Sequence, residues 1–368
     1  MTEAPRLLAG WGRTAPTASD VVPLTDPATA DEILAHPGPR GALARGLGRS
    51  YGDAAQNAGG TVLDVTPYDA LIAVDAAEAT AHVAGGVSID QLLRRIVPMG
   101  FFVPVTPGTR FVTVGGAIAA DVHGKNHHRD GSIGPHVRRI TLATPTGTVS
   151  VGPDHDADLY WATVGGMGLT GVIVDATLSL PRIETSWLRI DTDRTDDLDE
   201  VLALMEGDHA FHYSVAWIDC LSRGRHLGRS VLTRGDFAAV DDLPPRRRAH
   251  PLDYQAAVRL KAPPVFPSGL VNGWTMRVFN EAVYRRGPGR RRGELQSIPR
   301  FFHPLDFIGG WNRMYGRRGF LQWQFVVPFG AEDTLRAAVE GLSSAGVGSA
   351  LAVLKRFGPG DPGPLSFP

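Results

Sequence analysis

Between Gly60 and Pro181, apolar residues gather in short β-rich runs at 61–65, 79–83, 139–143 and 172–174. Such runs predict strands with few helices between them. One helix is clearly signalled. Ser88 and Gln91 stand at capping-box spacing, where each side chain satisfies the other's backbone amide, and Ile89, Leu92, Leu93 and Ile96 form an apolar stripe. Pro98 and Gly100 end it. Strands interspersed with few helices argue for an α+β domain over strict βαβ alternation.

The pattern shifts between Pro181 and Asp199, where acidic and Thr-rich residues predict a boundary between regions 1–182 and 183–368. The second region carries strand-like runs at 213–218 and 320–327. It also carries a helix with Leu335, Ala338, Val339 and Leu342 on one face, closed by Gly346. Residues 243–293 are rich in Pro, Arg and Gly, which predicts a long mobile loop or lid.

At 368 residues the chain has room for two substantial cores. Its 37 basic and 38 acidic side chains leave a net charge of −1, so nothing global draws it to nucleic acid and any anion site must be local. The lone Cys220 excludes an intramolecular disulfide and a cysteine-rich metal site, and reads as a small buried apolar residue. No secretory signal marks the first twelve residues, and no apolar run reaches bilayer length, so the expectation is a soluble or peripheral protein.

Two glycine clusters bear on chemistry: Gly46, Gly48 and Gly52 in one, Gly115 and Gly116 in the other. The first reads G-x-G-x-x-x-G, which departs from the G-x-G-x-x-G dinucleotide fingerprint, and a polar turn follows it where that fingerprint needs a helix. Either cluster alone is compatible with ordinary turns between strands. Together, with the polar HGKNHH loop at 123–128 after the second, they point to one large cofactor wrapped by several loops, a flavin dinucleotide.

His123 and His127 stand four apart, but Gly124 and Asn126 oppose the helix a metal pair needs, so no metal is expected. His123 reads either as a surface histidine or as a group facing the flavin and an alcohol substrate. Gln322 and Gln324 flank Trp323, so on a strand both amides share one face that suits sugar hydroxyls, or simply solvent. The runs 246–248 and 290–292 are all arginine, either solvated charge or contacts for anionic head groups or a phosphate-bearing substrate.

Eight segments carry a family resemblance: GWGRTAP at 10–16, ARGLGRSYGD at 44–53, PGTR at 107–110, TVGG at 113–116, HGKNHH at 123–128, WATVGG at 161–166, FHPLD at 302–306 and PLSFP at 364–368. They resemble the decaprenylphosphoryl-β-D-ribose 2'-oxidase family, flavoproteins of the PCMH-type, or vanillyl-alcohol-oxidase, superfamily. The resemblance implies a PCMH-type FAD-binding domain of two α+β subdomains and a substrate-binding cap on an antiparallel sheet. Its implied FAD contacts are Ala44, Arg45, Gly46, Leu47, Gly48, Arg49, Ser50, Tyr51, Gly52, Asp53, Ala54, Gly108, Thr113, Val114, Gly115, Gly116, Ala120, Asp121, Val122, His123 and Ile173. Its implied substrate contacts are Tyr51, Lys125, Trp217, Tyr315, Gln322, Gln324 and Lys355, with His123 as the catalytic group facing flavin and substrate. Arg49 stands where related sugar oxidases carry a flavin-linked histidine, which implies noncovalent FAD.

The implied activity is oxidation of the ribose 2'-hydroxyl of a polyprenyl-phosphate-linked ribose. A partner short-chain reductase completes epimerisation to the arabinose used in cell-wall arabinan. The implied location is the cell envelope, with peripheral membrane contact; the cytoplasm is the alternative. The alternative functions are oxidation of free sugars, alditols or aldonolactones, or flavin binding without catalysis. In the family the chain continues beyond the position of Pro368, and a lysine there is placed as the base. A chain ending here is therefore expected to lack that group and to expose apolar surface.

Overall fold

The computed structural model describes residues 4–267, 269–346, 349 and 351–367. The first three residues of the amino-terminal segment and Pro368 of the last family motif lie outside them. Three larger sheets and one two-stranded ladder organise the described residues. The first has four strands in the order Arg6–Leu8, Thr17–Pro23, Thr61–Asp64, Ala42–Arg45; its last three are parallel. The second is fully antiparallel, with five strands in the order Leu71–Asp75, Thr80–Ala84, Val172–Ser179, Val137–Thr144, Gly147–Val151. The third, also antiparallel, orders Arg290–Ser297, Trp187–Thr195, Ser230–Phe237, Tyr213–Ile218 and Val353–Leu354. Parallel and antiparallel sheets with interspersed helices make the α+β class expected from the strand-rich pattern.

The helix Ile89–Ile96 forms where its local chemistry demands. Ser88 Oγ accepts from Gln91 N at 3.2 Å and Gln91 Oε1 accepts from Ser88 N at 2.9 Å. Ile89, Leu92, Leu93 and Ile96 are all buried, each contributing roughly 1.5–3 kcal/mol. Their core continues past the second sheet into the third, through Leu178, Leu188, Tyr213, Ile298, Phe301 and Phe302. A separate cluster, with Leu24, Leu34, Leu63, Val172 and Val174, fastens the first sheet to the second. The second of these packs the strand Ala42–Arg45, which leads into the glycine loop, against the strand Val172–Ser179.

Three expectations need correction. Residues 320–327 form no strand, and Leu321 and Trp323 are exposed. The residue pattern suits a strand, but no ladder partner lies alongside among the described residues. The segment 243–293 is not one long loop. It contains the helix Gly273–Arg286 and leads into the strand Arg290–Ser297. The buried face of that helix is Met276, Asn280 and Tyr284, two of them polar, so no apolar stripe announces it. Gly115 and Gly116 do not form a turn; they occupy the first turn of the helix Val114–Ala119, capped by Thr113.

Candidate active site

The glycine loop meets the helix Val114–Ala119 at Gly46. A Cβ there would lie 2.2 Å from Thr113 Oγ1, so only glycine permits the approach. Behind them Gly115 N donates to Gly85 O at 2.9 Å, and a Cβ on Gly85 would lie 2.2 Å from Ile173 O. The loop thus meets the helix through the Thr113 side chain, and helix and strand meet through the Gly85 backbone. The first-turn amides of the helix are spent: Val114 N donates to Val87 O, Gly115 N to Gly85 O and Gly116 N to Thr113 Oγ1. From Leu47 to Asp53, by contrast, no backbone amide donates to an acceptor among the described residues. Gly52 and Gly108 face open space. A row of uncommitted N–H groups on a loop without side-chain obstruction is a donor set for a diphosphate, so these residues fit the FAD implied by the sequence.

Arg49 lies with its guanidinium 4.0 Å from the Trp11 ring centroid. It leaves no histidine in the loop for a flavin bond. Trp11 and Arg49 line a cleft of about 550 Å³ with Arg13, Arg45 and Arg313. The carboxylate of Asp121 is already engaged: Oδ1 accepts from Gly134 N at 2.9 Å and Oδ2 from the Ser366 hydroxyl. Its amide is also spent, on Ile118 O at 2.9 Å, so only the backbone carbonyl, held at φ +37°, remains for a cofactor. Burial raises this carboxyl to about 6.

Tyr51, at the end of the loop, packs 5.3 Å from Phe320, and Tyr315 stacks on Phe320 at 4.3 Å. Phe320 N also donates to Gly12 O at 2.9 Å. This anchor delivers Gln322 and Gln324 to the site. Gln322 Nε2 donates to Gln324 Oε1 at 2.7 Å, and Gln324 Nε2 lies 3.4 Å from His123 Nε2. The other ring nitrogen, Nδ1, lies 3.3 Å from Lys355 Nζ. The amides meet on one side although the segment is not a strand.

Burial, then the Lys355 charge, depresses His123 to about 3, so its ring is neutral near pH 7. Burial lowers Lys355 to about 8. Lys125 is lowered to about 7, by burial and then by Lys355; its Nζ donates to Phe301 O and sits 4.0 Å over the Phe301 ring. Trp217 is brought near through the sheet, opposite Val353, which stands two residues before Lys355. No hydrogen bond joins it to the histidine among the described residues.

The helix beginning at His127 excludes His123, whose ring is 6.3 Å from that of His127, so the pair does not share a helical face. The arginine runs are largely engaged within the protein. Arg247 lies over Trp187, Arg248 donates to Leu243 O, Arg291 pairs with Glu294 and Arg292 with Asp193. Cys220 is buried, which pushes its thiol to about 11.

One group escaped the sequence reading. Arg110, almost wholly inaccessible, bonds Asp90 at 2.6 Å and Asp306 at 3.2 Å, and Asp306 also accepts from Thr109 Oγ1 at 2.7 Å. The motifs PGTR and FHPLD therefore form one ionic node. Their presence was visible in the sequence, but not their pairing.

An FAD binding domain family matches residues 39–153, which include the glycine loop, Thr113 and His123. A decaprenylphosphoryl-β-D-ribose oxidase of Mycolicibacterium smegmatis is 46% identical over 370 residues, covering 98% of this chain and 80% of that protein. An uncharacterized protein of Streptomyces coelicolor is 38% identical over 292 residues, 77% of this chain and 78% of its own. A D-lactate dehydrogenase of Anaerostipes hadrus is 27% identical over 35% of this chain and 28% of its own. Fold, donor loop and matches define an FAD-dependent oxidoreductase with a PCMH-type flavin domain. Within that class, the chain belongs to the decaprenylphosphoryl-β-D-ribose oxidase family.

Proposed function

We propose that this chain oxidises the ribose 2'-hydroxyl of decaprenylphosphoryl-β-D-ribose to the 2'-ketone, the first half of epimerisation toward arabinan. The observation that carries this reading is the His123 cluster, where a neutral imidazole, two glutamine amides and a lysine meet next to the Phe320 that packs on Tyr51 of the glycine loop. Bound FAD would supply the acceptor for the hydride from C2', with the hydroxyl proton leaving to solvent. The uncommitted amides of 47–53 hold its diphosphate noncovalently, beside Arg49.

His123, uncharged, hydrogen-bonds the reacting hydroxyl without competing as a cation, while Gln322 and Gln324 orient neighbouring hydroxyls. Lys355, with Lys125 behind it, supplies positive charge for the phosphate. Tyr51, Tyr315 and Trp217 wall the sugar. In this reading, residues 1–182 bind flavin and 183–368 bind substrate, a short-chain reductase takes the ketone, and the protein works in the cell envelope. Among the described residues, no helix is long and apolar enough to cross a membrane.

The test is anaerobic bleaching of the bound flavin. Lipid-linked ribose should bleach it and free sugars should not. Bleaching by free alditols or aldonolactones, with indifference to the lipid-linked sugar, would overturn the substrate assignment. Bound flavin that no alcohol reduces would overturn the catalytic one.

A further inference from the structure

The helix Gly273–Arg286 has a purpose unexplained by the site. It is pinned inward at four-residue spacing: Met276 is buried, Asn280 Nδ2 donates to Asp219 Oδ1 at 2.8 Å, and Tyr284 OH donates to Asp196 Oδ1 at 2.7 Å. Its outer face is apolar at the amino-terminal half. Trp274 is 72% exposed, Val278, one turn on, 54%, and Phe279 beside it 47%. Leu270, just before the helix, is 50% exposed. An indole and a phenyl ring standing in water cost free energy that a partner surface would recover.

Charge identifies that partner. Arg277, Arg286 and Arg290 are exposed, and none has a carboxylate partner among the described residues; the one acid on this face, Glu281, is neutralised by Arg229 and Arg285. An apolar patch holding a tryptophan, flanked by unpaired arginines, matches the interface of a bilayer, where rings enter the acyl boundary and guanidinium groups meet phosphates.

We propose that the outer face of the helix Gly273–Arg286 docks on anionic lipid, seating the protein on a membrane surface. The inference stands on this face alone and does not rest on the substrate reading.

Co-sedimentation of the full chain with phosphatidylcholine vesicles containing phosphatidylglycerol tests it, with no sugar present. The wild type should partition, more weakly as salt rises. Trp274→Ser with Val278→Ser should weaken partition at least tenfold, and Arg277→Gln with Arg286→Gln roughly fivefold per arginine. Trp274→Phe should keep partition within about threefold, because the ring stays apolar, yet abolish the blue shift of tryptophan emission. Circular dichroism melts matching wild type show that these surface variants fold. No partition by the wild type, or equal partition by the double serine variant, would overturn the proposal. So would a vesicle-indifferent dimer that the serine variant dissociates, which would assign the patch to a second copy.

Discussion

His123 Nδ1 lies 3.3 Å from Lys355 Nζ, although 232 residues separate them in the chain. An ammonium donating to Nδ1 leaves the ring proton on Nε2, which is then free to donate to a hydroxyl oxygen, because the Gln324 amide nitrogen 3.4 Å away is itself a donor. It also opposes any second positive charge, which is one reason the imidazole stays neutral.

Removal of the ring should expose its role. His123→Ala is expected to slow flavin reduction about 10²–10³-fold, the range for losing one positioned hydrogen-bond donor. The visible flavin spectrum should persist. Rapid-mixing absorbance at the flavin band measures both, and an undiminished reduction rate would remove His123 from the mechanism.

Gly46→Val places a branched side chain where even a Cβ meets Thr113 Oγ1 at 2.2 Å. The loop must move away from the helix, costing about 1–3 kcal/mol and roughly tenfold or more in FAD affinity. Purified variant should show a lower flavin-to-protein absorbance ratio than wild type. For the wild type, acid precipitation should leave all the yellow colour in solution; colour in the pellet would reveal a covalent bond.

Lys355 predicts a stability trend with pH. Its folded pKa of about 8 lies below the ordinary 10.5, so the folded chain binds fewer protons than the unfolded chain between those values. The lysine therefore destabilises fully below about pH 8, and the cost disappears as pH rises through 10.5. Lys355→Met should melt higher than wild type at pH 7, with the gain shrinking steadily toward pH 10.5. A gain that does not change with pH would contradict burial of the charge.

Arg110→Met leaves Asp90 and Asp306 without the cation between them. Loss of one member of a buried ionic group costs about 3–5 kcal/mol. Denaturant unfolding should show a midpoint lowered accordingly, and the double variant with Asp306→Asn should recover part of the loss. A fall below 1 kcal/mol would show that water already screens this node.

Short-range chemistry was legible in the residues themselves. Ser88 and Gln91 cap each other across three positions, Gly48 turns at φ +63° against Arg45, and Gly346 closes a helix, because each of these interactions is satisfied within a few residues. The family resemblance likewise singled out the loop at 44–54, His123 and the two glutamines as candidates. Where the partner is remote, the same residues were silent. Residues 320–327 carry a strand's pattern, but a strand exists only where another supplies its ladder, and Tyr51 and Gly12 anchor this segment instead. The helix Gly273–Arg286 hides because Asn280 and Tyr284 are buried by hydrogen bonds to distant aspartates, which hydrophobic periodicity does not register. The pairing of His123 with Lys355, and of Arg110 with Asp306, was decided by tertiary structure alone: burial and charge act through space, between groups the chain keeps far apart.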